Sequence, residues 1–180
     1  MSASTAYIAT GGDNGILRLW KVKYQNNNIN SVALDKEIAM HSAQINGVAF
    51  NGGSDLVFSA SSDKTCRVFS VKDGKQLRCL SFSVPPLNTK FEFRSCLYLY
   101  RDLIIRFHPG MNCLITLATL TRKESYVTFW NVAKDFDPID SIKIHDNTSY
   151  RLTATDNKLA VGSNDGYVTI FDIKYIMKCI

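Results

Sequence analysis

Residues that support catalysis and metal binding are scarce in this sequence. Its 180 residues include three histidines, His41, His108 and His145, and five cysteines that form no C-x-x-C pair. His108 is followed by Pro109-Gly110, which predicts a turn. A structural zinc site needs four paired Cys or His ligands, and the G-x-S-x-G elbow of many hydrolases does not occur here. We therefore predict no catalytic residues, no metal ligands and no cofactor-binding residues in a chain that is not an enzyme.

Long apolar runs and clusters of like charge are also missing. No stretch approaches the roughly 20 apolar residues that cross a bilayer, and residues 1–5 lack the basic and apolar regions of a signal peptide. The 21 Lys and Arg outnumber the 16 Asp and Glu, giving a net charge of +5, but they are scattered along the chain. Nucleic-acid-binding proteins cluster positive charge on one face, so nucleic acid is disfavoured as a partner. The odd number of cysteines without C-x-x-C indicates a reducing, cytosolic setting.

No segment has sustained helical periodicity, and the sequence contains a repeated strand pattern instead. An apolar strand, a tight turn and a strand ending in an aromatic residue occur at 7–22, 57–71 and 159–173, with a looser copy at 114–132. These units close on Trp20, Phe69, Trp130 and Phe171. The separations of 49, 61 and 41 residues between the closing aromatics bracket the roughly 40 to 45 residues of a four-stranded WD-type blade.

The pattern predicts an all-β chain. Two longer spacings have local explanations, because the Asn-rich tract at 25–30 predicts a protruding loop and Pro85-Pro86 interrupts a strand ladder. The strands are predicted at 6–10, 16–22, 36–40, 45–50, 56–60, 66–71, 76–82, 91–99, 113–119, 126–132, 140–144, 150–155, 158–162 and 167–173.

Two pairs of residues carry a more specific signal. His41 precedes the predicted strand at 45–50, and Asp63 follows just before the strand that closes the unit; His145 and Asp165 repeat this order. Here the sequence resembles the WD-repeat family, whose blades place a His before the innermost strand and an Asp in the turn between the second and third strands. The resemblance implies two structural blade pairs, His41 with Asp63 and His145 with Asp165.

In that family a Ser or Thr and a Trp complete each hydrogen-bonded set. The closing aromatic residues of these two units are Phe69 and Phe171, which have no N–H, so neither set is expected to be complete. The unit that closes on Trp130 has Glu124 at the turn position and no preceding His. These residues are therefore expected to stabilise blades and to take no part in catalysis.

Together these features predict an all-β WD-repeat β-propeller. About four four-stranded antiparallel blades of a ring of about seven are expected, at approximately 1–44, 45–84, 88–144 and 145–180, with the first and last incomplete. Four such blades leave two large apolar faces open to solvent, which favours association or misfolding. We expect the chain to be a partial product of a longer propeller.

The irregular third unit narrows the resemblance. Residues 91–98, 114–119 and 126–130 look like the corresponding blade of the prolactin regulatory element-binding protein family, the endoplasmic-reticulum exchange factors that start COPII coat assembly. Residues 8–22 are similar to an early blade of the same family. The resemblance implies a cytosolic propeller, tethered by a C-terminal membrane helix, that binds a small GTPase and speeds release of GDP.

Parts of that family's pattern have no counterpart in these residues. The Gly-rich loop associated with exchange and the membrane helix are both missing, so no exchange residue is assigned. The resemblance implies that the family acts at the cytosolic face of the endoplasmic reticulum membrane and that this chain by itself is located in the cytosol. Two other functions remain open, namely a generic WD-repeat scaffold that joins proteins and a transcriptional DNA-binding regulator.

Overall fold

The computed structural model of the chain describes residues 3–85, 89–99, 113–120, 123–155 and 158–172. These ranges contain 14 strands and one short 3-10 helix, Val132–Lys134. The prediction of an all-β fold is confirmed. Within the described ranges, no helix has the length and apolarity that crossing a membrane requires.

The strands form four antiparallel sheets in chain order. Sheet 1 contains β1 (Ala3–Gly11), β2 (Ile16–Gln25) and β3 (Asn28–Ala39). Sheet 2 contains β4 (Ile45–Phe50), β5 (Leu56–Ser61), β6 (Cys66–Ser70) and β7 (Gln76–Leu80). Sheet 3 contains β8 (Glu92–Leu99), β9 (Cys113–Leu120), β10 (Glu124–Asn131) and β11 (Asp137–His145). Sheet 4 contains β12 (Ser149–Ala154), β13 (Lys158–Ser163) and β14 (Val168–Asp172).

The Asn-rich tract differs from its prediction. In place of a loop, β2 and β3 continue to a two-residue turn at Asn26 and Asn27, whose φ angles are 51° and 62°. Such a turn needs two left-handed residues, and Asn is among the residues that tolerate this conformation best. The tract therefore forms the tip of a long hairpin, and its amide side chains favour the turn without preventing the flanking strands.

The sheets pack face to face around three apolar clusters. Because side chains alternate along a strand, one face of a sheet packs against the preceding sheet and the other against the next. Sheets 1 and 2 enclose Leu17, Leu19, Ile38, Ile45, Val57, Phe69 and Val71. Sheets 2 and 3 enclose a cluster that includes Phe58, Val68, Phe93, Leu114 and Trp130. Sheets 3 and 4 enclose Ile115, Leu117, Val127, Phe129, Leu152, Leu159 and Val161, among others.

The first strands of sheets 2, 3 and 4 lie next to one another on the inner side of the stack. Strand β8 contacts both β4 and β12. Gly47 permits the close approach of β4 to β8, because a Cβ atom at this position would lie 3.2 Å from the Cα atom of Ser95. We call β4, β8 and β12 the inner strands.

Candidate functional site

His41 is the centre of a buried polar set in sheet 2. Its Nδ1 lies 2.7 Å from Oδ2 of Asp63, and its Nε2 lies 2.6 Å from Oγ of Ser59. Thr65 donates its hydroxyl to the other Asp63 oxygen at 2.6 Å, and the Ser42 amide donates to Asp63 at 3.3 Å. The structure thus brings together the first predicted pair, and adds Ser59 and Thr65.

The partners determine the protonation of this histidine. A carboxylate only accepts hydrogen bonds, so Nδ1 carries the proton that is donated to Asp63. Burial lowers the pKa of His41 below its usual value, against the opposing effect of Asp63, and favours the neutral ring. The unprotonated Nε2 then accepts a hydrogen bond from the Ser59 hydroxyl. Burial would raise the pKa of Asp63, but hydrogen bonds from Thr65 and His41 outweigh it and lower that pKa.

Asp63, His41 and Ser59 have the connectivity of a Ser-His-Asp triad. In hydrolases the serine must reach a substrate carbonyl carbon and a nearby oxyanion site. The Ser59 side chain is fully buried in the middle of β5, and His41 is buried above it. A substrate has no access to this hydroxyl, so the geometry supports a role in blade stability.

The second predicted pair is arranged differently. His145 places Nδ1 at 2.8 Å from Oγ of Ser149 and Nε2 at 2.7 Å from Oγ1 of Thr169. Both ring nitrogens are occupied, so His145 makes no hydrogen bond to Asp165. Asp165 is exposed and accepts from the backbone N–H of Tyr167 at 3.3 Å.

Strand register explains the different hydroxyl partner of Nε2. Ser59 lies two residues after Val57, the partner of the closing aromatic Phe69, and in sheet 4 the same position is Val161. Valine has no hydroxyl for the imidazole. His145 therefore bonds to Thr169, which faces Val161 from the neighbouring strand.

The tryptophans use the same register position in the other two sheets. Trp20 donates its indole N–H to Thr10 at 3.0 Å, and Trp130 donates to Thr116 at 2.8 Å. Sheet 1 and sheet 3 thus have the Trp and hydroxyl part of the family's set, whereas sheet 2 has its His, Asp and Ser and has Phe69 in place of the Trp. Glu124, at the start of β10, is engaged by Lys143 at 3.3 Å.

Residues 12–15 form the turn between β1 and β2, in which the Gly15 N–H donates to the Gly12 carbonyl. A strand and not a helix follows this Gly-rich turn, so it has no helix N-terminus that would bind a phosphate. His108 and Pro86 lie outside the described residues. Across the ranges that the structure describes, no group of three or more His, Cys, Asp or Glu is placed to hold a metal ion.

A repeated β-bulge on the inner strands was not anticipated from the sequence. Register shifts leave Asn46 without a pairing partner in β4, Arg94 in β8 and Tyr150 in β12. Each bulge lies opposite the same register position of the following strand, which is between Ala60 and Ser61 in β5, between Leu117 and Ala118 in β9, and between Gly162 and Ser163 in β13. A bulge redirects a side chain and is common beside functional sites. We call Asn46, Arg94 and Tyr150 the inner rim.

Hydrogen bonds hold the inner rim together. Asn46 donates from Nδ2 to Oγ of Ser62 and to the carbonyl of Phe93 on the neighbouring inner strand, both at 2.9 Å. Nη1 of Arg151, in β12, lies 3.4 Å from the carbonyl oxygen of Asn46. Arg94 pairs with Glu92 at 2.7 Å, and the Tyr150 hydroxyl donates to Asn164 at 3.0 Å. The inner rim is defined by how two strands pair, so no local sequence motif could have predicted it.

Comparisons with known proteins agree with this architecture. Residues 32–70 match the family model described as WD domain, G-beta repeat. That match spans the last strand of sheet 1 and most of sheet 2, including His41, Ser59 and Asp63. No curated protein matches the chain.

Solved structures extend the likeness to nearly the whole chain. The structure of U3-55K matches with a TM-score of 0.66 and 16% sequence identity, and it covers 93% of this chain. The crystal structure of RRP9 WD40 repeats matches with a TM-score of 0.64 and 17% identity over the same 93%. The fold is that of a WD40 β-propeller. In this propeller the sheets are blades, and the family's polar set is distributed among them as described above.

The likeness is limited to the fold. The chain spans 43% of the matched U3-55K chain and 42% of the RRP9 chain, less than half of either. Altogether 872 solved chains match. A fold that is this widespread does not specify a partner, so function must be argued from this chain's own surface.

Proposed function

We propose that this WD40 propeller is a protein-interaction platform that binds its partner at the inner rim. The observation that carries the proposal is the bulge repeated at one register position of β4, β8 and β12. A single bulge has many local explanations, but three equivalent bulges direct three side chains to the same level of the propeller.

The residues of the rim are of the types that dominate protein interfaces. Tyr and Arg are enriched among residues whose truncation costs most binding energy. Tyr150 is about half exposed, and Arg151 beside it is exposed as well. The rim is also rigid, because Asn46, Phe93 and Arg151 join three inner strands. Pre-ordered side chains lose less entropy on binding.

The partner that we propose is the small GTPase that initiates COPII coat assembly. The support is the resemblance of residues 91–98, 114–119 and 126–130 to the corresponding blade of the exchange-factor family. Nucleotide exchange requires a surface that binds the nucleotide-free GTPase better than the GDP-bound form, and it needs no nucleophile. The same proposal puts the protein in the cytosol, acting at the cytosolic face of the endoplasmic reticulum.

A binding experiment tests both the proposed surface and the proposed partner. Purified chain is titrated with the GTPase in its GDP-bound and nucleotide-free forms, and release of a fluorescent GDP is followed separately. We expect binding without faster release, because the Gly-rich loop associated with exchange has no counterpart in these residues. Tyr150→Ala and Arg94→Ala should each weaken binding at least about tenfold, as expected of central interface residues. Leu77→Ala, an exposed apolar position on β7, is the matched control and should leave affinity unchanged.

Other results separate the alternatives. Capture of different proteins through the same rim residues would support a generic scaffold and contradict the GTPase assignment. Rim variants that bind as well as the unmodified chain would contradict the proposed surface. DNA affinity that falls steeply with salt concentration would instead support the transcriptional alternative.

A further inference from the structure

Arg94 occupies the central position of the inner rim. It is the bulged residue of β8, the inner strand that lies between β4 and β12 and contacts both of them. Asn46 of β4 donates a hydrogen bond to the carbonyl of Phe93, the residue before Arg94, at 2.9 Å. Arg94 is therefore flanked by an inner strand on each side, and its neighbours fix the level at which its side chain lies.

The guanidinium of Arg94 has more hydrogen-bond donors than the chain uses. A guanidinium carries five N–H groups and has no acceptor. Nη2 donates to Oε2 of Glu92 at 2.7 Å. Nε is buried and makes no hydrogen bond with a described residue, and Nη1 makes none either. Within the described part of the chain, Glu92 is thus the only hydrogen-bond partner of this side chain.

The burial of Arg94 makes its unused donors significant. The side chain is only 20% exposed. A buried donor has given up its hydrogen bonds to bulk water, and it gains nothing in return unless an acceptor reaches it. Native proteins pair nearly all of their buried polar groups, so an unpaired donor calls for a functional explanation. At the edge of the proposed interaction surface, it indicates an acceptor that comes from outside the chain.

A second guanidinium lies at the same level of the rim. Arg151 places Nη1 at 3.4 Å from the carbonyl oxygen of Asn46, and it makes no ion pair with a described residue. Two positive charges, on Arg94 and Arg151, thus face one negative charge on Glu92, which leaves a net charge of +1 for these three side chains. A single additional carboxylate would balance this charge, whereas a phosphate dianion would lie next to Glu92 and be repelled by it.

We infer that the inner rim binds an acidic side chain, Asp or Glu, of the partner protein, with its carboxylate accepting hydrogen bonds from Arg94. The two oxygens of a carboxylate match the planar fork of a guanidinium, and such charge-assisted hydrogen bonds are stronger than neutral ones. The partner's carboxylate takes up donors that Glu92 leaves unused, and Arg151 adds a second positive charge beside them. The inference rests on the interaction surface proposed above and adds the chemistry of the group that binds there.

Fluorescence anisotropy with defined peptides tests the inference. The purified 180-residue chain is titrated with a labelled peptide of three glutamates separated by glycines, and with counterparts that carry glutamine or phosphoserine instead. We expect the glutamate peptide to bind most tightly and its affinity to fall with added salt. Arg94→Gln should weaken this binding at least about tenfold, because charge-assisted hydrogen bonds are lost. Lys75→Gln, which removes a positive charge from the exposed β6–β7 turn, is the control and should leave the affinity unchanged.

Glu92→Gln should give a change of the opposite sign, which misfolding cannot produce. Removing the carboxylate that competes for Arg94 should raise the affinity for the glutamate peptide about two- to fivefold, the usual range for an ion pair near the surface. Asp73→Asn removes a negative charge from the β6–β7 turn and is the matched control, so it should leave the affinity unchanged. Circular dichroism checks that each variant remains folded.

The outcomes distinguish this inference from the proposed function. The inference is overturned if Arg94→Gln binds the glutamate peptide like the unmodified chain, if the glutamine or phosphoserine peptide binds as tightly, or if Glu92→Gln does not raise the affinity. Each of these results would leave standing a protein partner that binds through Tyr150. Conversely, peptide binding that depends on Arg94, together with a GTPase that does not bind, would support the carboxylate site and contradict the proposed partner.

Discussion

His41 illustrates how one side chain can organise a blade. It joins the loop before β4 to Ser59 in β5 and to Asp63 in the following turn. The His41→Ala variant leaves a buried carboxylate and a buried hydroxyl without their partner. We expect it to lower the free energy of unfolding by about 1 to 3 kcal/mol, measured by urea denaturation.

His145 provides the matched control for that experiment. It is only partly buried, and its partners Ser149 and Thr169 are neutral hydroxyls. His145→Ala should therefore cost clearly less than His41→Ala. Equal losses of unfolding free energy in the two variants would mean that the Asp63 carboxylate does not make the His41 set more stabilising than the His145 set.

Stability should also fall in two stages on acidification. The pKa of His41 lies below its usual 6.5 in the folded chain, because burial disfavours the charged ring. Below about pH 6.5 the unfolded chain therefore binds a proton that the folded chain excludes, and stability decreases. The pKa of Asp63 is lowered from 3.8, since hydrogen bonds from Thr65 and His41 outweigh burial, so a second decrease is expected below about pH 4.

Thermal midpoints measured from pH 7 to pH 3 check this prediction. In His41→Asn, which cannot titrate, the contribution of this residue to the first decrease should disappear. An unmodified chain whose midpoint is constant between pH 7 and pH 5 would contradict the assigned protonation of His41.

At the scale of elements, the long hairpin of β2 and β3 depends on its two-residue turn. Asn27 has a φ angle of 62°, which strongly disfavours a β-branched residue. Asn27→Val should therefore destabilise the hairpin by about 1 to 3 kcal/mol, whereas Asn27→Gly should preserve it.

Amide hydrogen exchange across β2 and β3 measures this effect directly. The valine variant should lose protection near the tip while the rest of sheet 1 keeps it. If both variants exchange like the unmodified chain, the tract would behave as a loop, and the turn would not determine the register.

The two histidine sets show how far local patterns predict element geometry. The order of His41 and Asp63 around a strand and a turn correctly indicated their proximity, because the short β5–β6 turn brings the carboxylate to the histidine. The same order failed to predict the contacts of His145. Its Nδ1 bonds to Ser149. The partner of its Nε2 depends on the cross-strand position, where Val161 has no hydroxyl and Thr169 opposite it has one.

At the scale of the whole molecule, the cysteines report on packing between blades. Cys66 and Cys96 lie in the cluster between sheets 2 and 3, and Cys113 lies between sheets 3 and 4. Contact with Cys96 and burial raise the pKa of the Cys66 thiol, and burial raises the pKa of Cys113 to about 12. Cys79 is exposed on β7. Because the thiolate is the reactive form, these environments predict different reactivities.

Alkylation with iodoacetamide, read by peptide mass spectrometry, tests this prediction. In the native chain Cys79 should be modified rapidly, while Cys66, Cys96 and Cys113 should react only after unfolding in urea. Rapid native modification of Cys66 would show that sheets 2 and 3 separate in solution.

The sequence by itself determined the all-β class and the locations of most strands, because these depend on alternation, strand propensity and local chain reversal. It missed the first part of β3 and the two-residue turn before it. Tertiary structure alone decided the inner rim, since bulges at Asn46, Arg94 and Tyr150 exist only in the pairing of two strands. It also decided which apolar side chains are covered. Val68 and Ile170 occupy equivalent positions and are alike in sequence, but one packs against another blade and the other is exposed, because burial depends on the neighbouring sheet.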